Sequence, residues 1–275
     1  MTQHQTLEEI TNGDLHISHS AISCYQNCSL KFFYKYVEGR KPESVSINLI
    51  FGSSIHTAIN MICRSHKNTQ IEPLEAITDT FQTCLTLDIN NTEIPIIFSK
   101  TIADLNSAIS MGKTMLNVFY DNFNLTEEVV AVDLPLSAVL YDENKQHTEY
   151  KLVGVIDLLI KNNTGDLIVV DFKTSSKSMS QSAVDQDQQL TSYSYLLATN
   201  KYITPTASVK CRFDVLLKTK EPKLQQLYTD RDRTHRRRFA RLTNMILSGI
   251  DAKIFMPTVS WMCQSCEYSI ICKEW

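Results

Sequence analysis

The sequence predicts a mixed α/β domain in which helices pack on a central sheet. Two observations carry that prediction. From Glu128 the chain runs through "VVAVDLPLSAVL", "EYKLVGVIDLLIK" and "DLIVVDFKT". These stretches are rich in Val, Ile and Leu and are separated by turn-forming residues, the pattern of three consecutive antiparallel strands. A helical pattern follows from about Asp185 to Ala198, then a strand at "SVKCRFDVLLK" and a long helix from about Arg231 to Leu247. The core order is therefore β-β-β-α-β-α.

Upstream of the strands the periodicity is helical. "HISHSAISCYQNCSLKFFYKYVEG" places Ile22, Tyr25, Phe32 and Tyr36 at helical spacing behind a cap at Ser18 or Ser20, and Gly39 with Pro42 ends the pattern. A second helix covers "FGSSIHTAINMICRSH", and further helical patterns interrupted at Pro73 and Pro95 fill residues 66–126 as an insertion. The organisation expected is one domain over 1–275, with a frayed polar start at 1–15, a sheet core at 128–218 and a cysteine-bearing segment at 255–275.

Composition excludes several classes. A chain of 275 residues that is 43% hydrophobic buries one sizeable core and is neither disordered nor fibrous. The start has no basic and apolar leader, and the longest apolar run, "LVGVIDLLI", is too short to span a bilayer and contains an acid. A cytoplasmic protein with no membrane partner is expected, its eight cysteines reduced. The net charge of −3 leaves any phosphate binding to local basic patches.

The turn "KNNTGD" fits a three-residue hairpin loop with Gly165 as the left-handed residue. Counting back from Asn162 opposite Asp166 sets Asp157 opposite Asp171, and strand alternation puts Lys173 on the face of Asp171. Two carboxylates side by side need a compensating cation, from the lysine, a metal or both. That set suits metal-assisted phosphodiester hydrolysis with Mg²⁺ or Mn²⁺. An isolated D-x-K is more often a surface charge cluster. Asp133 either adds another acid near the site or is a strand-edge charge.

Further motifs surround the pair in a set order: Gly52 and His56 as G-x-x-x-H, Gly154 and Asp157 as G-x-x-D, Asp171 and Lys173 on the next strand, and Gln189 and Tyr193 as Q-x-x-x-Y. The ordered set, spanning residues 52–193, resembles the PD-(D/E)XK nuclease superfamily and specifically its RecB-like branch. The resemblance implies a restriction-endonuclease-like core. It implies His56, Asp157, Asp171 and the backbone carbonyl of Phe172 as metal ligands, Lys173 as the catalytic lysine, and Gln189 and Tyr193 as active-site residues. Gln188 beside Gln189 leaves a one-residue ambiguity, which the tyrosine four residues on resolves toward Gln189.

The chain closes on "WMCQSCEYSIICKEW", where Cys263, Cys266 and Cys272 form a triad short of the four ligands that zinc and iron–sulfur sites prefer. RecB-like nucleases include AddB-type helicase-nucleases and CRISPR-adaptation exonucleases that carry a 4Fe-4S cluster with one early and three late cysteines. The resemblance implies that cluster here, with Cys28 in "CSLKFF" as the early ligand although Ser29 replaces the usual proline. Cys24 is the rival, and zinc is the alternative metal on ligand chemistry alone. Cys63, Cys84 and Cys211 lie in apolar patterns as small buried hydrophobes.

Two basic stretches could meet a nucleic acid. Arg233, Arg237 and Arg241 line up on a helix within "RDRTHRRRFARL", as a phosphate-following stripe or as a solvated face. "LKFFYKYVEGRK" mixes cations with aromatics, as single-strand channels do. The function expected is a metal-dependent DNA exonuclease in recombination, repair, phage replication or CRISPR adaptation, acting on single-stranded DNA or ends. The sequence holds no G-x-x-x-x-G-K-[ST], so unwinding would need a helicase partner or another recombination or CRISPR protein. The rivals are an inactive nuclease-fold assembly subunit and a zinc-ribbon-like module.

Overall fold

A computed structural model describes residues 14–123, 127–141 and 146–275. Most of the expectation for residues 1–15 lies outside the described residues. The three strands predicted from Glu128 onward are present as β4 (Glu128–Tyr141), β5 (His147–Lys161) and β6 (Leu167–Ser175), consecutive and antiparallel. Gly165 has φ +88 in the β5–β6 turn, where the Asn162 amide donates to the Asp166 carbonyl at 3.0 Å. β7 (Val209–Leu217) runs parallel to β6.

An unpredicted strand, β8 (Lys223–Arg231), pairs antiparallel with β7 at the sheet edge. Its sequence, "KLQQLYTDR", is too polar to read as a strand because one face meets solvent. A second unpredicted strand, β1 (His16–Ser18), runs parallel to residues 151–153 of β5. The short β2 (Val45–Ser46) and β3 (Ile96–Ile97) pair separately.

The helices differ from expectation at three joints. The helix expected to run from Ser18 or Ser20 to Gly39 breaks at Cys28. α1 (His19–Asn27) is capped by Ser18, and α2 (Ser29–Phe32) passes into a π-helical turn at Phe33–Val37. Cys28 itself is extended, with φ −164, so the chain turns a corner there. The helix expected over Asp185 to Ala198 is two, α6 (Gln181–Gln186) and α7 (Gln188–Thr199), separated by Asp187, whose carboxylate caps the Leu190 amide. The last long helix, α8 (Arg233–Asp251), starts at a capping box between Asp232 and His235, so Arg231 belongs to β8 instead.

Two cores sandwich the sheet. On one face α1, α7 and α8 pack on Leu152, Ile156, Val169, Phe213 and Val215. On the other, α3 (Ile47–Lys67), α4 (Leu74–Asn90) and α5 (Leu105–Asn122) pack on Leu158, Ile160, Val170 and Phe172. A third, small cluster joins the early and late chain: Leu30 and Tyr34 meet Tyr268, with Cys28, Cys266 and Cys272 beside them. No helix among the described residues is long and apolar enough to cross a membrane.

Candidate active site

The β5–β6 ladder runs from Lys161↔Leu167 to Leu158↔Val170, and one step further stand Asp157 and Asp171, as the turn count predicts. There the strands part. The amide of Phe172 donates to Asp157 Oδ2 at 2.9 Å, in place of another backbone rung. β4 covers the other edge of β5, so β1 and β6 share one edge and leave residues 154–157 as a slit between them. Gly154 keeps the slit narrow: a Cβ there would stand 3.0 Å from Leu196 Cδ1 and 3.5 Å from the Tyr193 ring, both on α7. That close approach is the physical reason for glycine three residues before the acid.

Asp171 is 1% exposed and organises the α7 side of the slit. Lys173 Nζ lies 2.7 Å from its Oδ2, while Gln189 Nε2 and the Tyr193 hydroxyl donate to its Oδ1 at 2.8 and 3.2 Å. Gln189 also accepts from Lys173 Nζ at 2.7 Å through Oε1, so its amide bridges acid and lysine. One carboxamide thus fixes both charged groups, and the tyrosine one helical turn on closes the ring.

The opposite face supplies His56. Its Nδ1 lies 3.6 Å from Asp157 Oδ2, and the Phe172 backbone is in hydrogen-bond contact with it. His56, Asn60 and Arg64 share one face of α3. Asn60 Nδ2 reaches both oxygens of Asp133 at 2.7 and 2.8 Å, and Arg64 pairs with the same carboxylate. Asp133 stands between the pairs Val132↔Leu158 and Leu134↔Ile156, hence across from Asp157, with φ +49 in the middle of a strand. Its carboxylate is turned to α3, which accounts for the ambiguity it posed in the sequence.

The family model described as the PD-(D/E)XK nuclease superfamily matches residues 16–273. The chain belongs to the PD-(D/E)XK nuclease superfamily. No curated protein matches it. A solved structure from Eubacterium rectale, named as a candidate exonuclease, aligns over 100% of this chain and 94% of its own at a TM-score of 0.59 and 11% identity, which shows a shared fold. A second, SSO0001, covers 89% of this chain and 94% of its own at a TM-score of 0.32 and 14% identity, too low to carry an argument.

In this PD-(D/E)XK chain the site's electrostatics fit a divalent cation. Burial, and then the Asp171 charge, push Asp157 up to about 8. Burial holds His56 below the usual imidazole range, leaving the neutral form that ligates metals. Asp171 Oδ2 is buried with no aligned hydrogen bond, although the Lys173 ammonium is close. As they stand, no three His, Cys, Asp or Glu side chains among the described residues converge to hold a metal ion. The donor set is nevertheless one that a cation would relieve, since it would replace the proton on Asp157.

A pH dependence follows from the raised Asp157. Folding keeps a proton on this acid where the unfolded chain has lost it. Its contribution to stability is full below the ordinary carboxylate pKa and is lost as pH rises through about 8. Metal-free wild type is expected to lose Tm between pH 5 and pH 8 more steeply than Asp157→Asn. Equal slopes in thermal melts of the two proteins would remove Asp157 as the source.

Two residues at the slit were not singled out from sequence. His19, the first residue of α1, lies in the field of Lys173 and Asp171; burial and then Lys173 lower it to about 4. Asp187 is raised by burial and senses the same two groups. A histidine directly after a Ser cap, and an acid two residues before the Q-x-x-x-Y glutamine, were the available signals. Arg233, Arg237 and Arg241 are exposed on α8. Arg231 and Arg236 of the same basic stretch are buried.

The cysteines gather at the other end of α1. Cys28, Cys263, Cys266 and Cys272 line one cavity of about 470 Å³, together with Cys24. Cys28, Cys266 and Cys272 pack together against Leu30, Tyr34 and Tyr268. All eight cysteines are free thiols. The walls are tied without them: Ser29 Oγ donates to the Met256 carbonyl at 3.1 Å, Lys31 pairs with Glu267 at 2.8 Å, and the Tyr268 hydroxyl donates to the Arg40 carbonyl at 3.1 Å. The four thiols on this cavity come from segments more than two hundred residues apart in the chain, and as placed they do not converge into a metal site.

Proposed function

We propose that this protein is a divalent-metal-dependent DNA nuclease of the RecB-like branch, working as an exonuclease in recombination, repair, phage replication or CRISPR adaptation. The observation that carries the reading is the Asp157–Asp171 pair at a slit in the sheet, with Lys173 locked onto Asp171 and bridged to it by Gln189. The candidate-exonuclease name of the Eubacterium rectale neighbour agrees with it. In this reading Asp157, Asp171, His56 and the Phe172 carbonyl hold Mg²⁺ or Mn²⁺. The cation supplies charge neutralisation at the phosphate and a more acidic water. Lys173 presents its ammonium to the charge that develops on the phosphate. Gln189 keeps that ammonium from swinging away, and the Tyr193 hydroxyl holds Asp171 Oδ1. Exposed arginines on α8 offer backbone contacts to DNA, and any unwinding comes from a helicase partner.

The second part of the proposal is a 4Fe-4S cluster on Cys28, Cys263, Cys266 and Cys272. It has no hydrolytic step to perform, since phosphodiester cleavage moves no electrons; its role is to join the two chain segments. Cys28 is preferred to Cys24 because it opens the "CSLKFF" pattern and packs in one small cluster with Cys266 and Cys272, whereas Cys24 packs against the main core.

The test is anaerobic purification followed by digestion of end-labelled single- and double-stranded DNA with Mg²⁺ or Mn²⁺, with iron and zinc measured on the same sample. Metal-dependent release of short products from an end, with about four irons per chain, is the result expected. Intact DNA under every metal would leave the inactive DNA-binding subunit as the better reading. Stoichiometric zinc without iron would replace the cluster.

A further inference from the structure

We infer that Arg231 is a positioning residue for the active site: its guanidinium sets where Gln189 reaches Lys173 and Asp171. The inference rests on the reading of Gln189 as part of the nuclease site.

Arg231 ends β8 and is 1% exposed, although it sits in a basic stretch that reads from sequence as a phosphate-following stripe or a solvated face. An arginine has five N–H donors in a planar fork. All five are used, and every acceptor is uncharged. Nε donates to Thr191 Oγ1 at 2.8 Å; Nη1 donates to Thr229 Oγ1 at 2.7 Å and the Asp230 carbonyl at 3.0 Å; Nη2 donates to the Val184 carbonyl at 2.7 Å and the Asp187 carbonyl at 3.1 Å.

Three of those acceptors define the elbow between α6 and α7. Val184 lies in α6, Asp187 is the joint, and Thr191 is in the first turn of α7, where its hydroxyl also donates to the Asp187 carbonyl at 3.1 Å. Gln189 is in that same turn. Its carboxamide must meet Lys173 at 2.7 Å and Asp171 at 2.8 Å together, so a shift of about 1 Å in the elbow breaks both bonds. From α8, Arg236 supports the brace by donating to the Arg231 carbonyl at 3.2 Å and to Ser194 Oγ on α7 at 2.8 Å. Burying a guanidinium with only neutral partners is costly unless each donor is satisfied. A lysine, with three donors on a flexible stem, cannot satisfy all five acceptors.

The test is a double-mutant cycle on the full-length protein, reading kcat and KM for metal-dependent cleavage of end-labelled DNA well below the lowest Tm of the set. Gln189→Ala is expected to lower kcat by about ten- to a hundredfold, the range for hydrogen bonds to charged groups. Arg231→Lys is expected to do the same with KM nearly unchanged. The double variant should then fall within about twofold of Gln189→Ala alone, because both changes remove one interaction. A loss of stability alone would not produce that non-additivity. Losses that multiply, or full kcat in Arg231→Lys, overturn the brace while leaving the site reading intact. Full kcat in Gln189→Ala overturns the site reading, and the brace with it. Thr191→Val, which removes the hydroxyl that accepts from Arg231 Nε and donates to the Asp187 carbonyl, completes the same cycle if Arg231→Lys does not fold.

Discussion

Asp157→Ala, Asp171→Ala and Lys173→Ala each remove cleavage, by at least about 10²–10³-fold, the scale on which a single preorganised group at a reacting centre acts. DNA binding stays close to that of wild type, because phosphate affinity is spread over many basic contacts. Asp171 has the most to lose structurally. It is buried and accepts from Gln189 and Tyr193 while pairing with Lys173, so its removal strands three polar groups at once. Asp171→Asn keeps the shape and separates lost chemistry from lost stability. End-labelled cleavage and fluorescence anisotropy on the same preparations check both halves. Near-wild-type turnover in any of the three would take that residue out of the mechanism.

The second large effect is at the cysteine cavity. On the proposed cluster, Cys28→Ser is expected to bleach a broad visible absorption, lower Tm, and open α1, α2 and residues 255–275 to protease together. Closing a loop of over two hundred residues costs the unfolded chain roughly 5 kcal/mol before the constant term, and a covalent clasp removes that cost from folding. The full amount is an upper bound here, since Lys31–Glu267 and the Ser29–Met256 bonds already hold the segments. Each kcal/mol retained moves Tm by about 2–4 °C in a chain of this size. Cleavage should fall in step with stability. A variant that keeps its fold and loses all turnover would contradict a purely structural role, and the same changes in Cys24→Ser but not Cys28→Ser would move the early ligand one turn back.

Where the sequence was legible, local chemistry and tertiary structure agreed. The "KNNTGD" turn admits one register, so the placement of Asp157 across from Asp171 followed from a glycine and a count. His56 could be placed near them only through motif order, because nothing local to α3 says which strand it will face. The misses are places where long-range contacts override pattern. β8 reads as loop because Lys223, Gln225 and Gln226 hide its pairing with β7. The continuous helical periodicity across Cys28 and across Asp187 conceals two breaks, each stabilised by partners distant in sequence: the Leu30 amide by Met256, and the Asp187 carbonyl by Arg231. Arg231 is the sharpest case. Arg233, Arg237, Arg238 and Arg241 of the same stretch are exposed, and only the fold reveals that Arg231, like Arg236, is turned inward.

The forked edge of β5 makes the middle of a 15-residue strand behave like a margin. Among the described strands, residues 154–156 have a ladder partner only on the β4 side and Asp157 has none, while the pairs on either side of them are closed. Amide hydrogen exchange follows local opening rather than burial alone. The slowest-exchanging amides should therefore lie in the Leu158–Lys161 and Leu167–Val170 pairs, not beside Asp157 and Asp171. The slit can then loosen while both cores stay folded, so that opening at the site and global unfolding draw on separate motions of one sheet.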